Sequence, residues 1–335
     1  MRFGTRPIGE VMGAILAHSV PVEGGIIRKG TRLGADHINA LAAAGVAEVT
    51  AAAMEPCDVD ENVAAARLAH ALCGVDAGLE IEAAFTGRVN IRSRGVGVVS
   101  VDAAKIAAVN AIDPRITVAT LPPWQRVSKG TMVATIKMIP YAVPEAALSV
   151  AEQAASGGAL AHIAPQVSSA ALILTSYEGQ KAAMLEAKSI AAVEARLSAL
   201  QVELCGTRIC THDKTALEVE ISQTKTNLLL ILTASATSDI DDVMPAALRG
   251  AGGKVTRFGM PVDPGNLLVL GALGAITVIG LPGCARSPAL NGADWVLERV
   301  ICGHPPTAEE IGAMGVGGLL KEIPTRPQPR DGRRR

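Results

Sequence analysis

The sequence predicts an α/β protein: an α/β sandwich in the second half, preceded by a strand-rich mixed domain. Three observations carry that expectation. The run Leu228-Leu229-Leu230-Ile231-Leu232 has no polar alternation, which is the pattern of a central parallel strand covered by helices on both faces. From about residue 170 onward, apolar strand-like runs alternate with helical patterns. Before that, short runs of period two are separated by glycine-marked turns. The Ser156-Gly157-Gly158 break divides the two halves, giving an expected strand-rich domain over 1–155, a sandwich over 160–303 and a tail over 304–335.

The first half begins with an apolar stretch over 11–17 and a helix from Ala35 that Gly45 stops as a C′ glycine would. Residues 58–74 read as an amphipathic helix. Asp60 caps it, and Val63, Ala64, Leu68 and Leu72 recur at helical spacing. Residues 87–94 alternate polar with apolar side chains, and residues 95–101 follow a glycine-marked turn, so the pair is expected to form a hairpin. One face of it carries Arg88, Arg92 and Arg94, which reads either as an anion patch or as a solvated sheet face. Asp102 caps a short helix, residues 116–121 and 132–138 supply two more strands, and a helix from Glu145 to about Ala155 leads to the boundary.

In the second half, a strand at 170–175 precedes a long helix over about 180–200, with apolar residues at Met184, Ala187, Ala191, Ala195 and Leu197. A strand over 202–209 follows, then a helix capped by Asp213. After the 227–233 strand comes a helix behind Asp242, apolar runs at Val255, Leu267 and Ile276, and a last helix over 293–301.

A net charge of −1 lacks the basic excess of a nucleic-acid-binding face. Six cysteines are scattered without metal-like C-x-x-C spacing and read as reduced core thiols of a cytoplasmic protein. No apolar run reaches the length of a membrane span, and the N-terminus lacks the pattern of a secretory signal.

The chemistry gathers behind the 227–233 strand. Thr233, Ser235, Thr237 and Ser238 offer hydroxyls and backbone N–H groups at a strand's carboxyl end, where open α/β sheets keep their ligands. The helix start beyond them favours an anion. Asp239, Asp241 and Asp242 suit either Mg²⁺, which wants carboxylate oxygens, or the cap and first turn of a helix. Ser235 lacks a G-x-S-x-G elbow and would need His162 or His212 to complete a triad, so it reads as a phosphate hydrogen-bonder rather than a nucleophile.

The order of this small-residue turn, Asp242-Val243-Met244-Pro245, Val262-Asp263-Pro264-Gly265-Asn266 and Gly280-Leu281-Pro282-Gly283 resembles the molybdopterin-binding domain of molybdenum cofactor biosynthesis proteins. The resemblance covers roughly residues 165–302. It implies a three-layer α/β/α sandwich that binds a pterin phosphate, with Asp242 on the family's acidic position and as its candidate catalytic residue. Ser235, Thr237, Ser238, Asp213, Pro264, Gly265, Pro282, Gly283 and Arg286 would contact the cofactor, and Asp239 and Asp242 would hold Mg²⁺ with a nucleotide. The departures are specific. The family's Gly-Gly is Ala234-Ser235, the lysines flanking Pro-Gly in the molybdenum-inserting branch are Asp263 and Asn266, and Tyr177 and His212 stand where acidic residues are usual. Arg286, able to hold a phosphate bidentately, would offset the missing lysines.

Three functions follow from the resemblance: a molybdopterin-binding protein, an enzyme that adenylylates the pterin or inserts molybdenum, and a nucleotide amidase or pyrophosphatase. Expected partners are the pterin, a cytidylyltransferase or molybdoenzyme, and further copies of the chain, with no nucleic acid and no membrane. The Pro-rich stretch at 323–330 resembles a linker to a cytidylyltransferase domain, and cytidylyl transfer itself is expected to be another protein's work.

Overall fold

The structure, a computed structural model, describes residues 1–177 and 180–320. The proline-rich stretch at 323–330 and the arginines at 333–335 lie outside the described residues. The chain is a mixed α/β protein of two compact units, one comprising Met1–Gly95 and Val99–Ile163, the other Val96–Val98 and the chain from Ala164 on. Gly157 and Gly158, both at positive φ, turn the chain within the first unit ahead of the strand Leu160–Ile163.

The second unit is built on a six-stranded sheet in the order Glu203–Thr211, Ser169–Ser176, Leu228–Leu232, Ile276–Gly280, Val269–Leu273, Lys254–Phe258. The strand Leu228–Leu232 runs parallel to both of its neighbours, and all five of its residues are buried. Its alternate side chains serve two cores. Leu228, Leu230 and Leu232 pack with Val193 and Leu197 of the helix Gln180–Ser198 and with Val296, Leu297 and Ile301 of the helix Gly292–Ile301. Leu229 and Ile231 pack with Leu217 and Ile221 of the helix Lys214–Ser222, and with Met244, Ala247 and Leu248 of the helix Val243–Gly250. A strand with an apolar core against each face tolerates no polar residue, which is why its sequence shows no period of two.

The far side of this sheet departs from the parallel pattern. Only Gly274 and Ala275 separate Val269–Leu273 from Ile276–Gly280, too short a link for the crossover that parallel neighbours need, so these strands pair antiparallel, as do Val269–Leu273 and Lys254–Phe258. Gly274 adopts φ +57° in that turn.

In the first unit, an antiparallel sheet has the order Ile116–Thr120, Met132–Met138, Arg88–Ser93, Leu79–Ile81. It packs on the helix Glu61–Cys73 through Leu68, Leu72, Val89, Ile91 and Ile136. The expected hairpin between residues 87–94 and 95–101 does not form. Both edges of Arg88–Ser93 are taken by Met132–Met138 and Leu79–Ile81, while Gly97–Val101 pairs with Arg126–Val127 and Leu160–Ile163. The Ser93 hydroxyl donates to the Gly95 carbonyl (2.8 Å) where the chain leaves the first sheet. Val89, Ile91 and Ser93 point inward and Arg88 and Arg92 outward; Arg92 is spent on Glu82 and the Gly130 carbonyl, so this is a solvated face.

Helix ends follow their local chemistry. Asp60 accepts from the Asn62 N–H (2.9 Å), Asp102 from Lys105 (3.0 Å), and Gly45 follows the helix Ala35–Ala43 at φ +72°. The exposed side of the first unit is tied by Arg67, which donates to both oxygens of Glu145 (2.7 and 2.8 Å) and both of Glu152 (2.9 and 2.7 Å).

Two predictions arise here. Truncating the fully buried Leu230→Ala lowers stability by about 2–5 kcal/mol in urea unfolding. The Arg67 hydrogen bonds hold the Glu145 carboxyl at about 2, below its ordinary 4.5. Its folded value is depressed, so its contribution is complete above 4.5 and is lost as pH falls toward 2. Glu145→Gln therefore gives a lower thermal midpoint at neutral pH and a shallower decline on acidification than the unsubstituted chain, as followed by circular dichroism.

Candidate anion-binding site at the strand ends

Three adjacent strands of the second unit end side by side, and a short hydrogen-bond chain joins their carboxyl ends. The Ala234 N–H, just past the central strand, donates to the Thr175 hydroxyl of Ser169–Ser176 (2.8 Å), and that hydroxyl lies 2.8 Å from Nδ1 of His212, which follows Glu203–Thr211. The ring of Tyr177 meets the His212 imidazole edge-on at 5.2 Å. On the central strand's own side, the Thr233 hydroxyl donates to the Ser235 carbonyl (2.7 Å) and closes the turn. Ser235 and Ser238 are exposed, whereas Thr237 is buried.

The helix end behind this turn is already filled. Asp242 caps Val243–Gly250, accepting from the Val243 N–H through Oδ1 (2.7 Å) and from the Ser238 N–H through Oδ2 (2.9 Å). A carboxylate of the chain thus occupies the place where the helix N-terminus would hold a phosphate. Asp239 accepts from the Asp241 N–H (2.8 Å), and Asp241 pairs with Arg249 (2.6 Å). Among the described residues no group of three or more His, Cys, Asp or Glu could hold a metal ion. Of the two carboxylates expected for Mg²⁺, Asp242 caps the helix and Asp239 accepts a backbone N–H in the turn before it. Asp213 caps its own helix through the Thr215 and Ala216 N–H groups (2.8 and 3.0 Å).

The Pro264-Gly265 pair is placed by packing. Gly265 adopts φ +138°, and a Cβ there would stand 2.6 Å from the Gly292 nitrogen, so only glycine lets this loop pass the start of the helix Gly292–Ile301. The Gly292 N–H donates to the Pro264 carbonyl (2.8 Å) at the same crossing. Pro282 opens the 3-10 turn Gly283–Arg286, its carbonyl accepting from the Ala285 N–H (2.9 Å), and Gly283 is exposed.

Arg286, at the end of that turn, is the cation at the strand ends. Its Nη1 donates to the buried Ser189 hydroxyl (2.7 Å) and its Nη2 to the Thr233 carbonyl (2.6 Å). The guanidinium is half-buried, and burial alone pulls its pKa below the ordinary arginine value. A guanidinium carries five N–H donors, so three remain beyond these two contacts. No carboxylate pairs with it among the described residues. A cation taken partly out of water without a countercharge creates a favourable place for an anion.

What holds Arg286 there was not foreseen from the sequence. Arg196, on Gln180–Ser198, is buried and spends every donor: Nε on Asp294 (2.6 Å), Nη1 on the Ala192 and Ala285 carbonyls (3.0 and 2.9 Å), and Nη2 on those of Ser287 and Ala289 (2.7 and 3.2 Å). A signal was present, because Arg196 stands among Ala192, Val193 and Leu197 on the apolar stripe of its helix. Apart from the Ala192 carbonyl, its acceptors lie some ninety residues away, and no local pattern names them. Arg196→Met leaves the buried Asp294 without its cation and is expected to cost about 3–5 kcal/mol in urea unfolding. Adding Asp294→Asn, which keeps an acceptor for the Asn291 N–H, returns part of that loss.

No family model matches the chain, and no curated protein matches it. Among solved structures, it is similar to the molybdopterin biosynthesis MoeA protein from Pyrococcus horikosii, at 12% identity and a TM-score of 0.32 over 93% of this chain and 77% of that one. A likeness of this strength carries no argument about the site.

Proposed function

We propose that the protein is a molybdopterin-binding protein of molybdenum cofactor biosynthesis, its second unit a three-layer sandwich of molybdopterin-binding type that holds the pterin phosphate at the strand ends. The observation that carries the reading is Arg286: a half-buried guanidinium with three N–H donors unclaimed by the contacts to Ser189 and Thr233, at the carboxyl ends of the parallel strands of a mixed sheet. Ser235 and Ser238, exposed on the adjoining turn, supply hydroxyls of the kind a phosphate accepts from.

Binding is favoured over turnover. Asp263 and Asn266 stand where the molybdenum-inserting branch of the resembled family has lysines, and a carboxylate with an amide provides no cationic stabilisation for charge developing in phosphoryl chemistry. Asp242 caps a helix, and His212 is joined to Thr175 rather than to a serine poised for attack.

The test is calorimetric titration of molybdopterin into the purified chain, alongside mass spectrometry of small molecules released after expression in a molybdopterin-competent host. A charged hydrogen bond contributes about 1.5–3 kcal/mol, so Arg286→Ala is expected to bind about ten to a hundred times more weakly. Unchanged affinity in that variant overturns the site. Sustained multiple turnover with ATP, Mg²⁺ and molybdate overturns the binding-protein reading in favour of an enzyme on the same pterin.

A further inference from the structure

The six-stranded sheet has a second feature that the strand-end site does not use. Its terminal strand, Lys254–Phe258, pairs among the described residues with Val269–Leu273 along one side only. An open groove of about 450 Å³ runs against this strand, walled by the strand itself, Gly253, Ile240 and Arg249. An unpaired strand edge presents a row of backbone donors and acceptors that another extended chain can complete.

The charges along this groove select what that chain can be. Lys254 is exposed and has no carboxylate partner among the described residues. Arg257 donates only Nε to a backbone carbonyl, that of Gly259 (2.7 Å), and it too lacks a carboxylate. Arg249 donates to the Ile240 carbonyl through Nη1 (2.7 Å) and pairs with Asp241 through Nη2; Asp241 is 81% exposed, so that pair is a solvated one of little strength that an incoming carboxylate can exchange. Ile240, Val255 and Phe258 add apolar surface between the cations.

A second copy of the chain fits this edge poorly. Edge-to-edge pairing would bring Lys254 and Arg257 of both copies along one seam, and like charges across a strand pair destabilise it. The register shift between Val255 and Arg257 leaves Thr256 without a partner across the ladder, its hydroxyl donating to the Leu270 carbonyl (2.9 Å). The same cations that oppose a cationic edge attract an acidic one.

We infer that this edge receives an extended acidic segment of a partner protein, added as a strand beside Lys254–Phe258, its carboxylates on Lys254, Arg257 and Arg249 and its apolar side chains against Ile240 and Phe258. The probe is a fluorescein-labelled hexapeptide alternating Glu with Val, titrated into the full chain and followed by anisotropy. Saturable binding that weakens with salt, falls at least tenfold in Lys254→Glu/Arg257→Glu and persists in Arg208→Glu on the opposite sheet edge supports the inference. A peptide N-methylated at alternate residues is expected to lose binding, because it cannot complete the ladder; equal binding by it overturns the added-strand geometry. Failure of the unmodified peptide to bind, indifference to the double substitution at unchanged thermal midpoint, or self-association abolished by that substitution each overturns the acidic partner. None of these outcomes touches the Arg286 site, which is on other elements.

Discussion

The Arg196 guanidinium is the interaction on which the candidate site depends. A buried cation is tolerated only when its charge is paired and its donors are filled, and Arg196 meets both demands with one carboxylate and four backbone carbonyls. Three of those carbonyls belong to Ala285, Ser287 and Ala289, so satisfying the arginine and shaping the loop are one event. Arg286 sits between two of the residues whose carbonyls are claimed, and its side chain reaches Ser189 and Thr233 instead. Two arginines in one region therefore stand in opposite electrostatic states. Arg196 is compensated and structural; Arg286 is held in place without a countercharge among the described residues.

The same logic separates what was legible in the sequence from what was not. The central strand, the Asp60, Asp102 and Asp213 caps and the Gly45 stop were readable because each depends on residues within a few positions of itself. The hairpin at 87–101 failed because strand pairing is a competition among all strands. Met132–Met138 and Leu79–Ile81 took both edges of Arg88–Ser93, and nothing within residues 87–101 records that. The chain joining Ala234, Thr175 and His212 is similar: each residue is ordinary where it stands, and register alone brings the three strand ends together.

Asp242 shows that a local pattern by itself does not fix a residue's role. Aspartate before a helix was equally consistent with a cap and with a metal ligand, and the two readings diverge only in where the carboxylate oxygens go. Both accept backbone N–H groups, one from the helix start and one from Ser238. The turn is thereby closed onto the helix, and the helix dipole is balanced by the chain itself.

This shifts the demand for an external anion from the helix end to the arginine. Helix N-termini and guanidinium groups attract phosphates for the same reason, concentrated N–H donors with positive charge, but they differ in what the protein can do about them when no ligand is present. A helix end is neutralised by one short side chain, as Asp242 does. A half-buried arginine needs a carboxylate of matching reach, and among the described residues none is placed within ion-pair distance of Arg286. Filling it with aspartate would gain stability and close the site, whereas leaving it bare costs stability in the empty protein and keeps an anion as the missing countercharge. Arg196, paired to Asp294 of the helix Gly292–Ile301, shows that this region can place a carboxylate against an arginine, and among the described residues it places none against Arg286.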